Sequence, residues 1–257
     1  MNETPKPKIH EWIEETERLE VPTKAPPPRE YDVKLVAFID ILGVSDLAKD
    51  DNRAEEVLTI MSQVRTYVAA GCHELVLKGE LDYIQIGDGF VIVAGLRQIN
   101  RLCNILSSIQ WRTLIESRTL LRGVITAGRV QGSMTEGFFI GPAVINAYKL
   151  ERDNAIFPRI IYMDEIENYL SKKSIKFGHI IEDQDRIKYL DFIGHNRDSK
   201  KLSAKTLDHL LTTQGIRKKL ETEYQQFVVD NDAENIKKAQ KCGWMISKFA
   251  DCGVRLT

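Results

Sequence analysis

Residues 81–95, LDYIQIGDGFVIVAG, contain two apolar, β-branched runs on either side of the triplet Gly87-Asp88-Gly89. Two such runs joined by Asp-Gly predict a β-hairpin, because the tight turn needs residues that tolerate positive φ. A carboxylate at the end of a buried hairpin costs free energy unless something pairs with it. The stretch therefore predicts a β-sheet, and it predicts that a positively charged group or a hydrogen-bond donor pairs with the Asp88 carboxylate.

A second carboxylate stands in a similar position upstream. Residues 34–41, KLVAFIDI, have the composition of a buried strand, and Asp40 interrupts the apolar run just before the break at Gly43. We expect Asp40 and Asp88 to meet at neighbouring strand ends. Because carboxylate oxygens are preferred ligands of hard cations, we expect the pair to hold divalent metal.

Composition excludes several classes of protein. The 257 residues carry 36 basic and 37 acidic side chains, so no electrostatic signature of a nucleic-acid or anionic-membrane partner stands out. The four cysteines show no CxxC spacing and the five histidines no HExxH pattern, which gives no zinc signature. With no signal peptide and no apolar run near the length of a membrane span, we predict a cytoplasmic protein with reduced thiols.

The order of the predicted elements defines the fold class. Strand 34–41, helix 44–70, the hairpin, helix 98–115 and strand 120–127 follow one another, which predicts an α+β fold with a ferredoxin-like βαββαβ core. Residues 1–31 read as an N-terminal helix and a Pro-rich linker, residues 32–195 as the main domain, and residues 196–257 as a helical C-terminal extension.

Four blocks occur in an informative order along the main domain. They are residues 38–43 (FIDILG), 86–89 (IGDG), 122–128 (RGVITAG) and 141–151 (GPAVINAYKLE). Together they resemble class III nucleotidyl cyclase domains, the adenylate and guanylate cyclase fold, over about residues 34–192. The resemblance implies that the 3′-oxygen of a nucleoside triphosphate attacks the α-phosphorus and expels pyrophosphate, with two metal ions stabilising the attacking and leaving oxygens.

The resemblance also implies roles for individual residues. Asp40, the backbone carbonyl of Ile41 and Asp88 would hold two divalent cations, Mn²⁺ or Mg²⁺. Arg122 falls where the family has an arginine that contacts the triphosphate, and a guanidinium suits a phosphate oxyanion. Lys149 falls where cyclases carry an arginine that stabilises charge on the transferring phosphoryl group. In the family these two parts come from different subunits, which implies an obligate homodimer with active sites at the interface.

Other positions match the family less closely. The ribose-orienting asparagine of the family falls on Ile145, and Asn146 follows it directly. The nucleotide-binding positions would be Phe38, Gly43, Ile84 and Phe138, together with Arg122.

Ile84 and Phe138 depart from the family pattern in a specific way. Adenylate cyclases have a lysine and an aspartate or threonine at these positions, and guanylate cyclases have a glutamate and a cysteine. A bulkier and less polar pocket disfavours a purine. The combination resembles the pyrimidine cyclases of the bacterial Pycsar anti-phage system, in which cyclic UMP or cyclic CMP activates a separate effector protein. Candidate base-reading residues are Tyr83, Gln85 and Tyr148.

Each of these residues also has a plainer explanation. Asp88 fits an ordinary turn aspartate, Asp40 a helix cap, Arg122 a structural salt bridge, and Lys149 a solvated helix surface.

At the level of function, the alternatives to a uridylate cyclase are a cytidylate or adenylate cyclase, or a non-catalytic cyclase-fold module that binds nucleotide. A polymerase of the palm type is disfavoured because no basic surface is evident.

Overall fold

One β-sheet organises the computed structural model, which describes residues 31–170, 175–230 and 232–254. In chain order the described strands are β1 (Asp32–Ile41), β2 (Leu81–Ile86), β3 (Gly89–Ala94), β4 (Leu121–Ser133), β5 (Phe138–Ile140), β6 (Ile160–Tyr162), β7 (Ile180–Glu182) and β8 (Lys188–Leu190). They follow the spatial order β2-β3-β1-β4-β6-β8-β7, and β5 pairs with β4.

The predicted fold class is confirmed. Strands β2, β3, β1 and β4 lie side by side and are antiparallel, with α2 (Ala54–Leu77) connecting β1 to β2 and α3 (Ile99–Ser117) connecting β3 to β4. This is a ferredoxin-like βαββαβ arrangement. Beyond it, β6 joins β4 in parallel and the β7–β8 pair extends the sheet.

Alternation along β1 assigns its side chains to two faces of the sheet. Leu35, Ala37 and Ile39 pack in the hydrophobic cluster that includes α2 and α3. Val36 and Phe38 pack in a separate cluster on the other face, which α4 (Pro142–Asn154) covers. The same alternation places Asp40 on the α4 face, at the penultimate residue of β1.

The chain after β1 differs from the predicted single helix over residues 44–70. A short helix α1 (Val44–Leu47) ends after one turn, and α2 begins only at Ala54. Between them Asp50 caps a 3₁₀ turn by accepting a hydrogen bond from the backbone N–H of Asn52, with an N···O distance of 3.0 Å. Local side-chain capping therefore competes with helix propagation at this point.

Strand β4 also runs further than the predicted strand over residues 120–127. It continues to Ser133 and turns back into β5, which pairs with it in antiparallel fashion. Gly132 makes this pairing possible, because its φ is +104° and an added Cβ would lie 2.1 Å from the carbonyl oxygen of Phe138.

The C-terminal part is helical, as predicted. After α5 (Ile166–Tyr169) and the β7–β8 pair come α6 (Phe192–Ser199), α7 (Ala204–Thr213), α8 (Ile216–Asp230) and α9 (Ala233–Asp251). A hydrophobic cluster that includes Trp111 and Leu114 of α3 and Trp244 and Phe249 of α9 joins these helices to the core. The proposed division after residue 195 falls within α6, and the predicted N-terminal helix and linker lie almost wholly outside the described residues.

No helix in the described parts of the chain has an apolar stretch long enough to cross a bilayer.

Asp183, in the turn between β7 and β8, fixes α9 to the sheet. Its carboxylate accepts hydrogen bonds from Arg159 at 2.7 Å, from the indole N–H of Trp244 at 2.6 Å and from Lys248 at 2.9 Å. Burial raises the pKa of Asp183, but the hydrogen bonds from Trp244 and Lys248 outweigh it and lower this pKa to about 2. Arg159, itself 1% exposed in its side chain, also pairs with Asp185.

We predict that Asp183→Asn lowers the free energy of unfolding by about 2–4 kcal/mol, because it leaves buried donors without a charged acceptor. In the wild type this stabilisation should be complete above about pH 4 and be lost as the pH falls towards 2, since the folded pKa lies below the unfolded one. Urea denaturation at several pH values measures both effects.

The matched control for this prediction is Asp251→Asn. Asp251 lies 3.7 Å from the same Lys248, but its side chain is 70% exposed, so its removal should change stability by less than about 0.5 kcal/mol. Equal effects of the two variants would contradict the assigned role of Asp183.

Candidate active site

Strand register brings the two predicted carboxylates together. Asp40 pairs with Gly89 on β3 on one side and with Arg122 on β4 on the other. Gly89 directly follows Asp88, and Gly87 supplies the positive φ of +61° that the turn needs. The hairpin end that carries Asp88 therefore lies beside the end of β1 that carries Asp40.

A cavity of about 480 Å³ opens at this end of the sheet, on the face that α4 covers. Asp40 and Asp88 both line it, as do side chains of β3, β4 and α4. Its lining consists of Phe38, Asp40, Ser45, Ile86, Asp88, Val91, Arg122, Val144, Ile145, Tyr148, Glu151 and Arg152.

Asp40 lies in an environment that disfavours its own negative charge. Burial and the charge of Asp88 raise the pKa of Asp40, while Arg122 and a hydrogen bond from the Ile41 backbone N–H act in the opposite direction. Asp88 in turn accepts a hydrogen bond from the Ser45 hydroxyl at 3.0 Å. The two carboxylates are thus held close enough to repel each other.

Arg122 forms an ion pair with Asp40. Its Nε and one terminal nitrogen donate to Oδ2 of Asp40 at 3.3 and 3.2 Å. Its Nε also lies 2.6 Å from Oε1 of Glu151, and its other terminal nitrogen donates to the carbonyl of Ala155 at 3.4 Å. The guanidinium therefore lies between a carboxylate of the sheet and a carboxylate of α4.

Glu151 is a site residue that the sequence did not reveal. Its side chain is 4% exposed, and burial raises its pKa to about 7, with Arg122 opposing this and Asp40 and Asp88 adding to it. Val144, Tyr148 and Glu151 have the i, i+4, i+7 spacing of one helix face, and all three line the cavity. That spacing is the signal that could have identified Glu151.

The donor set fits a hard divalent cation. Mg²⁺ and Mn²⁺ bind through one or two carboxylates together with substrate phosphate oxygens, and Asp40 and Asp88 offer two such groups in one cavity. No cluster of three or more potential ligating side chains of His, Cys, Asp or Glu occurs among the described residues. The side chain of Ile41, the third predicted ligand position, packs in the hydrophobic cluster that includes α2 and α3.

Two aromatic residues form one wall of the cavity. Phe38 and Tyr148 meet edge to face, with their ring centroids 5.7 Å apart. Both line the cavity, and Tyr148 is half exposed, so a planar ring can contact it there. The other candidate base readers lie elsewhere: Tyr83 packs against the cluster on the opposite face, and Gln85 donates to the carbonyl of Gly87 at 3.1 Å.

The remaining predicted residues lie outside this cavity in the single chain. Ile84 packs against the cluster on the α4 face, and Phe138 is 50% exposed on β5. Asn146 donates to Glu165 at 3.3 Å, and Lys149 is exposed on α4. Gly43 lines a different cavity, next to the C-terminal helices.

No model of a protein family matches the chain, and no curated protein does. Among solved structures, it is similar to a bacterial light-regulated adenylyl cyclase, with 15% identity over 64% of this chain and 92% of that one and a TM-score of 0.47. It is similar to a dimeric guanylyl cyclase domain from the aquatic fungus Blastocladiella emersonii, with 16% identity over 64% and 98% of the two chains and a TM-score of 0.46. For adenylate cyclases from Trypanosoma brucei in their monomeric state, identity is 11%, coverage 65% and 93%, and TM-score 0.46.

We predict that Glu151→Gln changes the pH dependence of stability when divalent metal is removed by a chelator. The pKa of Glu151 rises from 4.5 to about 7 on folding, so the wild type should lose stability as the pH rises through this window. The variant carries no such group, and its stability relative to the wild type should therefore increase by about 3 kcal/mol between pH 4 and pH 8.

Thermal denaturation of both proteins across this pH range measures the difference. A constant difference between the two melting temperatures would show that Glu151 does not titrate in the folded protein in this window.

Proposed function

We propose that this chain is a nucleotidyl cyclase that converts UTP into 3′,5′-cyclic UMP and pyrophosphate. The observation that carries the proposal is that Asp40 and Asp88 line one cavity at neighbouring strand ends, with Arg122 paired to Asp40. The four-block resemblance to class III nucleotidyl cyclases agrees with this geometry. The product would act as a second messenger that activates a separate anti-phage effector, as in the Pycsar system.

The reaction forms one bond and breaks another at the α-phosphorus. The ribose 3′-hydroxyl loses its proton and its oxygen bonds to the α-phosphorus, while the bond from that phosphorus to the bridging oxygen of the β-phosphate breaks. The products are the cyclic nucleotide, pyrophosphate and the proton of the 3′-hydroxyl, which passes to water. Two divalent cations would supply charge stabilisation for the attacking and leaving oxygens.

The chain's own residues have distinct tasks in this proposal. Asp40, Asp88 and the Ile41 carbonyl would bind the cations. Arg122 would stabilise negative charge on the phosphate oxygens, because its fork of donors matches an oxyanion. Its contacts with Asp40 and Glu151 fix the guanidinium before substrate arrives, so that little orientation entropy is lost on binding.

Pyrimidine selectivity is supported by the apolar character of the positions that read a purine in related cyclases. Ile84 and Phe138 stand at those positions, and neither can hydrogen-bond to a purine edge through its side chain. The aromatic wall of Phe38 and Tyr148 offers a surface on which a small base can stack. The second candidates are cytidylate and adenylate cyclase activity at the same site.

In a homodimer, predicted residues that lie outside the cavity of their own subunit would contribute to the cavity of the other subunit. Ile145 on α4 is 55% exposed, and Phe138 and Ile140 on β5 are 50% and 52% exposed. Exposed apolar side chains on neighbouring elements are typical of an interface with another protein. In this proposal Lys149 and Asn146 of one subunit serve the cavity of the other.

We predict that Asp40→Ala and Asp88→Ala each lower the rate of cyclic UMP formation by at least about 100-fold, because either change removes a cation ligand. The assay incubates purified protein with Mn²⁺ and UTP and identifies the cyclic product by mass. Size-exclusion chromatography checks that each variant remains folded and has the same oligomeric state as the wild type.

The matched control is Asp32→Ala. Asp32 lies on the same strand at the opposite end, and its side chain is 76% exposed, so its removal should leave the rate unchanged. Normal product formation by the Asp40 or Asp88 variant would overturn the proposed role of the pair.

A further inference from the structure

A second cavity, of about 450 Å³, lies between the loop that follows Asp40 and the C-terminal helices α8 and α9. The loop contributes Gly43 and Asp46 to its lining, and α9 contributes Lys238 and Lys241. Among the described residues, five cationic side chains line the cavity against three carboxylates, so its net charge favours an anion. The cationic side chains are Arg53, Arg118, Lys219, Lys238 and Lys241.

Some of these cations already have charged partners in the chain. Lys238 lies 3.1 Å from Asp46 and 2.8 Å from Glu234. Arg53 lies 2.8 Å from Glu56. These ion pairs reduce the positive charge that Lys238 and Arg53 can offer to a ligand.

Lys241 differs from them. Within the described residues its ammonium has no hydrogen-bond or ion-pair partner, although the side chain is partly buried. Burial, together with the charge of Arg122, lowers the pKa of Lys241, while Asp46 and Asp40 act in the opposite direction. Burying a cation without a partner costs free energy, and a bound anion would remove that cost.

The position of Lys241 links this cavity to the candidate active site. Its charge interacts with Asp40 and Arg122, and it also lowers the pKa of Glu151. Arg122 already contacts Asp40 and Glu151, whereas Lys241 has no such contacts. The loop after Asp40 separates the two cavities: Ser45 lines the Asp40 cavity, and Gly43 and Asp46 line the cavity that contains Lys241.

We propose that Lys241 of α9 binds the terminal phosphates of the substrate triphosphate and the pyrophosphate released from it. This inference rests on the cyclase function proposed above. A lysine ammonium is a compact point charge and a common ligand of phosphate oxygens. The assignment makes the C-terminal helices part of the substrate site. It also gives a function to the Asp183 and Asp46 contacts, which hold α9 against the sheet and the loop.

The experiment measures binding of inorganic pyrophosphate to the full chain by isothermal titration calorimetry, in the presence of Mg²⁺. We expect Lys241→Met to weaken binding at least 10-fold and Lys241→Arg to bind within about 3-fold of the wild type. Methionine keeps the apolar stem and the helix propensity of lysine, so this variant should fold. Lys237→Met, which removes an exposed lysine of the same helix, is the control and should bind as the wild type does.

The melting temperature measured without ligand distinguishes a ligand-binding role of Lys241 from a structural one. If Lys241 is an unpaired cation kept for a ligand, Lys241→Met should melt at the same temperature as the wild type or higher. A marked fall in the melting temperature, or wild-type affinity for pyrophosphate in Lys241→Met, would overturn the inference. Equal weakening by Lys237→Met would overturn it as well, since that result would indicate unspecific attraction.

The test is independent of the cyclase assay. If the wild type binds pyrophosphate through Lys241 but forms no cyclic nucleotide, the phosphate site stands and the proposed function fails. If cyclic nucleotide forms and Lys241→Met binds pyrophosphate normally, the cyclase stands and the role of Lys241 fails.

Discussion

The repulsion between Asp40 and Asp88 is the interaction on which the rest of the site depends. Two carboxylates meet because antiparallel pairing of β1 with β3 places the last residues of β1 beside the hairpin turn. Burial makes the charge on Asp40 costly, and Asp88 adds to that cost. Such a pair persists in a folded protein when cations compensate it.

In the proposed enzyme, three cationic side chains act on this pair. Arg122 comes from the neighbouring strand, Lys241 comes from the C-terminal helices, and Lys149 would come from a second subunit in our proposal. Glu151 balances Arg122 from α4 and holds it in place. Opposite charges that are fixed in advance can stabilise a transferring phosphoryl group without reorganisation during the reaction.

Sequence patterns could predict the parts of this structure that depend on local chemistry. The apolar run over residues 34–41 predicts β1, and the Gly-Asp-Gly turn predicts the hairpin of β2 and β3. Together they place Asp40 and Asp88 at strand ends, and the helical period of residues 98–115 predicts α3. Local patterns cannot reveal contacts between distant segments. Glu151 becomes a site residue only because α4 packs on the sheet, and Asp183 fixes α9 only because Trp244 and Lys248 reach it from 61 and 65 residues away.

A panel of four nucleotides tests the central claim most directly. Purified protein is incubated with Mn²⁺ and each of ATP, GTP, CTP and UTP, and the cyclic products are identified by mass. We predict that cyclic UMP is the main product and that ATP and GTP give little or none, because Ile84 and Phe138 offer no hydrogen bonds to a purine. Cyclic AMP as the main product would contradict the pyrimidine assignment, and no cyclic product from any nucleotide would contradict the proposed cyclase itself.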